Sequence, residues 1–350
     1  MPERVIREGT HPFRPRPRLS PLLRRPAVLL AAAILLALCI LASLFVGSSR
    51  IPADQVAHYL LHPDTSNVSY NINVLRVERT IIGVLVGAAL AVSGAVMQAV
   101  TRNPLAEPGL LGVNAGASLG IVLGTAALGV LPVPGQLLLA AVGALVATAL
   151  VQVIGMIGGS TSSPVRLVLI GVAFSAFAGA VIRGVVLTMP NLFRTFIDWE
   201  VGSLTRADIP LLPMTLLVAL GTGAALLLAG ALDNIALGDD VAAALGTRVG
   251  LVRGLSLAVI TLLCATATTV AGPIGFVGLM APLTASWLMG PHRGWIVALC
   301  ALGGPVVVLA ADVLGRVLAR PGEMQVGLLT AFVGSPVLLL MVLRMKDRAS

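Results

Sequence analysis

Residues 76–113 read RVERTIIGVLVGAALAVSGAVMQAVTRNPLAEPGLLGV. Within that stretch residues 80–100 hold no charged side chain. They match the about 20 apolar residues that a helix needs to cross a hydrocarbon core of about 30 Å. The run is apolar throughout, whereas a barrel strand would alternate polar and apolar positions. Arg79 and Arg102 mark its edges, and Pro104 follows, which lacks a backbone N–H and stops a helix. The reading sets the fold class as an all-α integral membrane protein.

The pattern recurs along the chain. Apolar runs cover 27–47, 80–100, 109–131, 135–157, 165–189, 209–232, 249–271, 273–290, 294–315 and 324–343, so ten spans are expected. The composition has room for them: 57% of the 350 residues are hydrophobic, 38 are glycine and only 11% are charged. A soluble domain carries about 25% charged residues. Mean hydropathy is +0.99. Residues 1–26, rich in Arg and Pro, read as a disordered cytoplasmic tail, and 27–346 as one transmembrane domain. The 27–47 run exceeds the h-region of a signal peptide and reads as a signal anchor. No charge lies between Glu107 and Arg166, so two spans must turn at Leu131-Pro132-Val133-Pro134-Gly135. The 273–290 run is the shortest and contains Pro282, which marks it as broken or tilted.

The net charge is +8. In a soluble protein that surplus points to nucleic acid, but these arginines flank apolar runs and report topology instead. Nucleic acid is not an expected partner. With ten spans and both termini in the cytoplasm, fifteen basic residues lie inside and eight outside. The eight are Arg50, Arg76, Arg79, Arg183, Arg194, Arg206, Arg316 and Arg320, and so many on the unfavoured side ask for a role. Two outer segments are long. Residues 48–73 contain Ile51-Pro52-Ala53-Asp54-Gln55-Val56, a helix start with proline in the first turn, and 190–208 contain an amphipathic stretch from Phe193 to Trp199. The cytoplasmic loop 233–253 holds Gly238-Asp239-Asp240-Val241-Ala242-Ala243-Ala244-Leu245-Gly246. It reads as a short helix with acids at its N-terminus and a glycine stop.

Catalytic material is scarce. Lys346 is the only lysine, so the Gly-Lys-Ser/Thr of a nucleotide-binding P-loop is absent. Cys39, Cys264 and Cys300 sit singly in apolar runs, as buried small hydrophobes do. His58 and His62 stand four apart, a geometry that can hold a metal, but no further ligand is spaced to complete a site. No metal, cofactor or enzymatic activity is expected. Asp312 and Arg316, four apart in the ninth span, read as a mutual ion pair, since an unpaired charge in lipid is costly. The same holds for Arg76 with Glu78 and Arg79. Spans two to ten lack a convincing mid-membrane ionisable group, Arg183 being the nearest candidate, and this weakens a proton-coupled carrier. Small residues at Gly83/Gly87, Gly116/Gly120/Gly124 and Gly275 near Gly278 read as close helix packing.

More specific patterns follow. Gly94-Ala95-Val96-Met97-Gln98-Ala99, then Arg102-Asn103-Pro104-Leu105-Ala106-Glu107-Pro108-Gly109-Leu110-Leu111-Gly112-Val113, closely resembles the FecCD-type permeases. These are membrane subunits of ABC importers for iron-siderophores, haem and vitamin B12. The likeness continues through Gly202-Ser203-Leu204, Leu237-Gly238-Asp239-Asp240-Val241, Leu245-Gly246 and Gly272-Pro273-Ile274-Gly275-Phe276-Val277-Gly278-Leu279. It also takes in Ala311-Asp312 with Arg316, Val326-Gly327-Leu328-Leu329-Thr330-Ala331 and Gly334-Ser335-Pro336, and spans 27–345. The resemblance implies a ten-helix type II importer permease, like the vitamin B12 permease, with helices two to five and seven to ten as related repeats. It implies a paired permease with ABC ATPase subunits on the cytoplasmic side and a substrate-binding protein outside. Arg76, Arg79 and Arg316 would then be sockets for acidic residues of the binding protein. Gly238, Asp239, Asp240, Ala244, Leu245 and Gly246 would form the ATPase coupling helix, and Asn103, Pro104 and Leu105 the cytoplasmic translocation gate.

Two departures matter. The family usually continues Pro-His-x-x-Arg where this chain has Pro282-Leu283-Thr284-Ala285-Ser286. The loss fits one half of a heterodimer whose paralogue keeps both basic groups, and drift in a homodimer is the alternative. Ser160-Thr161-Ser162-Ser163-Pro164 has the polar character of a gate-proximal loop without a positional match. The stretch Arg320-Pro321-Gly322-Glu323-Met324-Gln325-Val326-Gly327 looks most like the siderophore branch. Import of a ferric siderophore across the cell membrane is therefore expected before haem or vitamin B12. An ATP-independent multi-pass carrier is the alternative class.

Overall fold

Helix ends in this chain follow from where proline, glycine and charge fall. The computed structural model describes residues 21–156, 164–189, 196–197, 199–205 and 209–349, and among them every regular element is helical. The helices are α1 (Pro21–Phe45), α2 (Ala53–Leu61), α3 (Asn67–Tyr70), α4 (Val77–Thr101), α5 (Val113–Leu128) and α6 (Val133–Met156). After them come α7 (Pro164–Thr188), α8 (Leu211–Ala236), α9 (Asp239–Ala244), α10 (Val249–Ala271), α11 (Val277–Met289), α12 (Arg293–Leu318) and α13 (Val326–Ala349). A π-helical turn, Asn71–Arg76, joins α3 to α4, and a 3-10 turn, Pro108–Leu111, precedes α5.

Each expected apolar run finds a helix, with corrections at the ends. The first begins at Pro21, inside the segment read as tail, with proline at the helix start. The tail before it lies outside the described residues, as do Ser160–Ser163 and most of the amphipathic stretch from Phe193. In the outer segment Pro52 is the N-cap of α2, just ahead of the first turn. Among the described residues seven helices are long and apolar enough to cross a membrane, one of them running unbroken from Asn67 to Thr101. Val113–Leu128, Val277–Met289 and Val326–Leu340 are shorter apolar helices.

The centre of the bundle is α4. Of its most apolar window 83% is buried, against 6% for α1, 17% for α7 and 22% for α8. Helices α8, α10, α11 and α12 pack round it. A helix can be enclosed so closely when small residues let backbones touch, and α4 has them. A Cβ on Gly94 would lie 1.8 Å from the Gly278 carbonyl oxygen of α11, and one on Gly87 would lie 2.6 Å from the Pro305 backbone of α12. Gly120 and Gly143 bring α5 and α6 together in the same way.

Two of the shorter apolar helices, α5 and α11, start deep in the bundle. Gly278, the second residue of α11, lies against the Leu90 carbonyl and Pro108, beside the middle of α4. The residues before it, Gly272 to Phe276, form no helix although they are apolar, which corrects the expected 273–290 span. From the opposite end of α4, residues 102–107 lead back to Pro108 at the same level. A helix of 13 residues covers only about 20 Å at 1.5 Å per residue. Non-helical backbone at such depth is tolerated where protein encloses it. Both short helices are entered through a left-handed residue, Gly112 at φ +80° and Phe276 at φ +69°. Pro282 sits within α11 without interrupting it.

Candidate functional site

The end of the bundle where α4 begins is organised by arginines. Helix α1 has no basic residue in its last turn, so its final carbonyls need donors from elsewhere. Arg76 supplies them to Leu44 at 2.9 Å and Phe45 at 3.3 Å, and reaches the Ser49 carbonyl at 3.1 Å. Arg316 donates to the Ser43 and Val46 carbonyls at 2.8 and 3.0 Å, and Arg320 to Gly47 at 2.8 Å. Asp312 is wholly buried between two guanidiniums. Arg79 Nε donates to both its oxygens at 3.0 and 3.1 Å, and Nη2 at 2.7 Å. Arg316 Nε bonds Oδ2 at 3.0 Å. Arg79 Nη1 turns outward to Glu323 at 2.5 Å, and the Ser48 hydroxyl holds the other Glu323 oxygen at 2.7 Å. Burial works to raise the Glu323 carboxyl, but the Ser48 hydroxyl and Arg79 outweigh it and hold it below the ordinary glutamate range.

The three arginines expected as sockets thus surround one cavity of about 260 Å³, with Asn71, Thr205 and Glu323 also in its wall. Their guanidiniums already have partners: relative exposure is 5% for Arg76, 9% for Arg79 and 1% for Arg316. The Asp312–Arg316 pair forms as expected. The pair expected of Arg76, Glu78 and Arg79 does not form among the described residues. Arg79 pairs across the bundle with Asp312 and Glu323, and Arg76 bonds only carbonyls and a hydroxyl. The His58 and His62 rings stack at 5.3 Å.

The opposite end carries the other two expected groups. Gly238 at φ +118° turns the chain from α8 into α9, and Gly246 at φ +82° turns it out toward α10. Both conformations suit glycine and strain other residues. Asn234 bonds the Thr247 hydroxyl at 3.0 Å, closing the loop at its base. Asp240, Ala244, Gly246, Val241 and Leu245 are exposed, the last two at 46% and 58%. Asp239 faces inward to Arg102 and to Arg253 at 3.0 Å. Asn103, Pro104 and Leu105 are exposed beside this loop, the Asn103 side-chain oxygen accepting the Leu105 N–H at 3.0 Å. Sequence spacing does not join these two groups, and it gives no side-chain role to Arg102, Glu107, Glu200 or Glu323.

Between the two ends lies a thin polar seam. Glu107 Oε1 accepts the Phe276 N–H at 3.0 Å, Asn114 accepts the Thr268 hydroxyl at 2.8 Å, and Ser118 donates to Glu200 at 2.9 Å. Gln98 donates to the Leu279 carbonyl at 3.1 Å. Cys264 and Cys300 are buried as small hydrophobes. Leu283, where the resembled family carries histidine, is 2% exposed and packs inward. Among the described residues no three His, Cys, Asp or Glu side chains converge as a metal site would require.

Comparison with known proteins bears on the family and the fold. Residues 35–344 match the FecCD transport family. The ferric enterobactin transport system permease protein FepD of Escherichia coli K12 is 43% identical over 303 residues, covering 86% of this chain and 90% of that protein. The Fe(3+)-citrate import system permease protein YfmD of Bacillus subtilis 168 is 38% identical, covering 85% and 88%. Among solved structures, an inward-facing metal-chelate type ABC transporter superposes with a TM-score of 0.80 at 25% identity, over 91% of this chain and 99% of that one.

Proposed function

The chain belongs to the FecCD transport family, and on that premise we propose that it is the permease subunit of an ATP-driven importer carrying a ferric siderophore across the cytoplasmic membrane. The family consists of transport subunits, and the chain is a multi-pass membrane protein. The observation that carries the mechanism is α9. It is a short helix fixed through glycine turns to two long helices, with exposed Val241 and Leu245 on its outer surface. Such a lever suits a soluble ATPase seated against it. On the opposite side a binding protein docks through carboxylates at Arg76 and Arg79. Arg316 is so deeply engaged that it supports the socket from beneath. A carboxylate arriving at Arg79 takes the place of Glu323, an exchange of one charge-assisted bond for another. A second permease subunit, a paralogue in preference to an identical copy, completes the pathway. The siderophore assignment is supported by the relatives named for ferric enterobactin and ferric citrate.

Reconstitution tests the reading. The permease with its ATPase and binding protein in lipid should hydrolyse ATP faster when loaded binding protein is added, and should take up ferric catecholate or citrate complexes in preference to haem or vitamin B12. Turnover indifferent to substrate would reject the importer. Replacing Leu245 and Gly246 by bulky charged residues should separate hydrolysis from uptake, and reversing Arg76 and Arg79 to Glu should weaken binding-protein docking.

A further inference from the structure

The turn at Asn103-Pro104-Leu105 and the helix α9 share one ionic joint. Arg102 ends α4 in the left-handed region at φ +50°, a conformation that a non-glycine residue adopts only when its surroundings hold it. Its side chain leaves the turn and crosses to the end of α8 and the start of α9. Nε donates to the Ile235 carbonyl at 2.8 Å, and Nη2 to the carboxylate of Asp239, the first residue of α9. The far end of the same segment is tied as well. Glu107 accepts the Phe276 N–H at 3.0 Å, and Phe276 is the other non-glycine residue with positive φ among those described. Between these ties Asn103, Pro104 and Leu105 are exposed and folded back on themselves through the Asn103 side chain. The segment is a strap held at both ends, one end on α9 and the other beside the middle of α4.

We propose that Arg102 is the positioning residue through which displacement of α9 moves the 103–105 turn, with Glu107 as the fixed point about which the strap swings. The inference rests on the reading of α9 as the coupling helix and of 103–105 as the gate. The side chains of Arg102 and Asp239 are 38% and 41% exposed, and ion pairs so exposed contribute little to stability. What the pair supplies is a connection. Asp239 also holds Arg253, at 3.0 Å, but Arg253 lies on α10 and does not lead to the turn. The two cations on one carboxylate therefore differ in what they can transmit. A lysine at 102 would keep the charge and lose the fork that reaches Ile235 and Asp239 together.

Thiol labelling in the assembled complex tests this. Leu105→Cys is placed in a chain whose Cys39, Cys264 and Cys300 are replaced by alanine. The rate of alkylation by a water-soluble maleimide is then compared without nucleotide and with ATP and vanadate. With Arg102 in place the two rates should differ by about fivefold or more, the lower range of coupling between linked sites. Arg102→Ala should bring them together, Arg102→Lys should give an intermediate ratio, and Arg253→Ala should keep the full difference. ATP turnover measured in parallel identifies any variant that fails to assemble, and Arg102→Lys then decides. A full nucleotide dependence in Arg102→Ala or in Arg102→Lys overturns the joint. Equal rates with Arg102 intact overturn the gate reading beneath it, and the joint with it.

Discussion

Asp312 is the residue on which the most depends. It bonds Arg79 and Arg316 at once, in a place where Asp312 itself has no exposure. Removing one partner of a buried pair typically destabilises by about 3–5 kcal/mol, because the remaining charge stays buried. Asp312→Asn should therefore lower the unfolding midpoint in lipid nanodiscs sharply, and an unchanged midpoint would refute the pairing. Glu323 behaves differently because it is half-exposed. Its carboxyl is held low, so its bond to Arg79 contributes fully above the unfolded glutamate pKa of about 4.3 and is lost as pH falls through the lower folded value. The difference in melting midpoint between wild type and Glu323→Gln should be constant above about pH 5 and fade below about pH 4. Only part of this was legible beforehand. Asp312 and Arg316 are one helical turn apart, and local spacing reveals such a pair. Arg79 and Glu323 lie 244 positions apart, and no periodicity links them.

At the scale of elements, hydropathy located the helices well and their ends less well. The seventh run matches α10 at both limits, Val249 and Ala271, because Arg248 and Gly272 bound it. The eighth run fails at its start because Pro273 to Phe276 are as apolar as a helix and yet form none. Apolar character reports what surrounds a residue, and an enclosed irregular segment meets the same surroundings as an enclosed helix. The expected glycine contacts are real for Gly87, while Gly275 has only Glu107 near it. Space decides what each glycine tolerates. Gly94→Ala should destabilise by about 1–3 kcal/mol or more through overpacking against Gly278. Gly223→Ala on α8, where a Cβ meets nothing within 4 Å, should stabilise by about 0.5–1 kcal/mol. Equal thermal midpoints for the two variants would contradict the packing.

Across the whole molecule the two ends have different characters, one a closed arginine knot and the other a short exposed helix beside an exposed turn. From the excess of basic residues at the α9 end we propose that this end faces the cytoplasm. His62→Cys should then react with an impermeant maleimide on intact cells, and Asp240→Cys only after permeabilisation; the reverse pattern would invert the topology. Leu187 on α7, Leu227 on α8 and Phe332 on α13 are more than 80% exposed, which leaves broad apolar faces for lipid and for the proposed second subunit. The enclosure of α4 also has a consequence for biosynthesis. The helix is apolar enough to enter lipid as soon as it is made, yet almost none of it touches lipid in the end. Arg79 at its head waits for Asp312, 233 residues further along the chain. At about 5–20 residues per second the ribosome needs roughly 10–50 s to deliver it. Through that interval Arg79 is without the carboxylate that holds it in the finished bundle, so α4 becomes the centre of the bundle only when its last neighbours emerge.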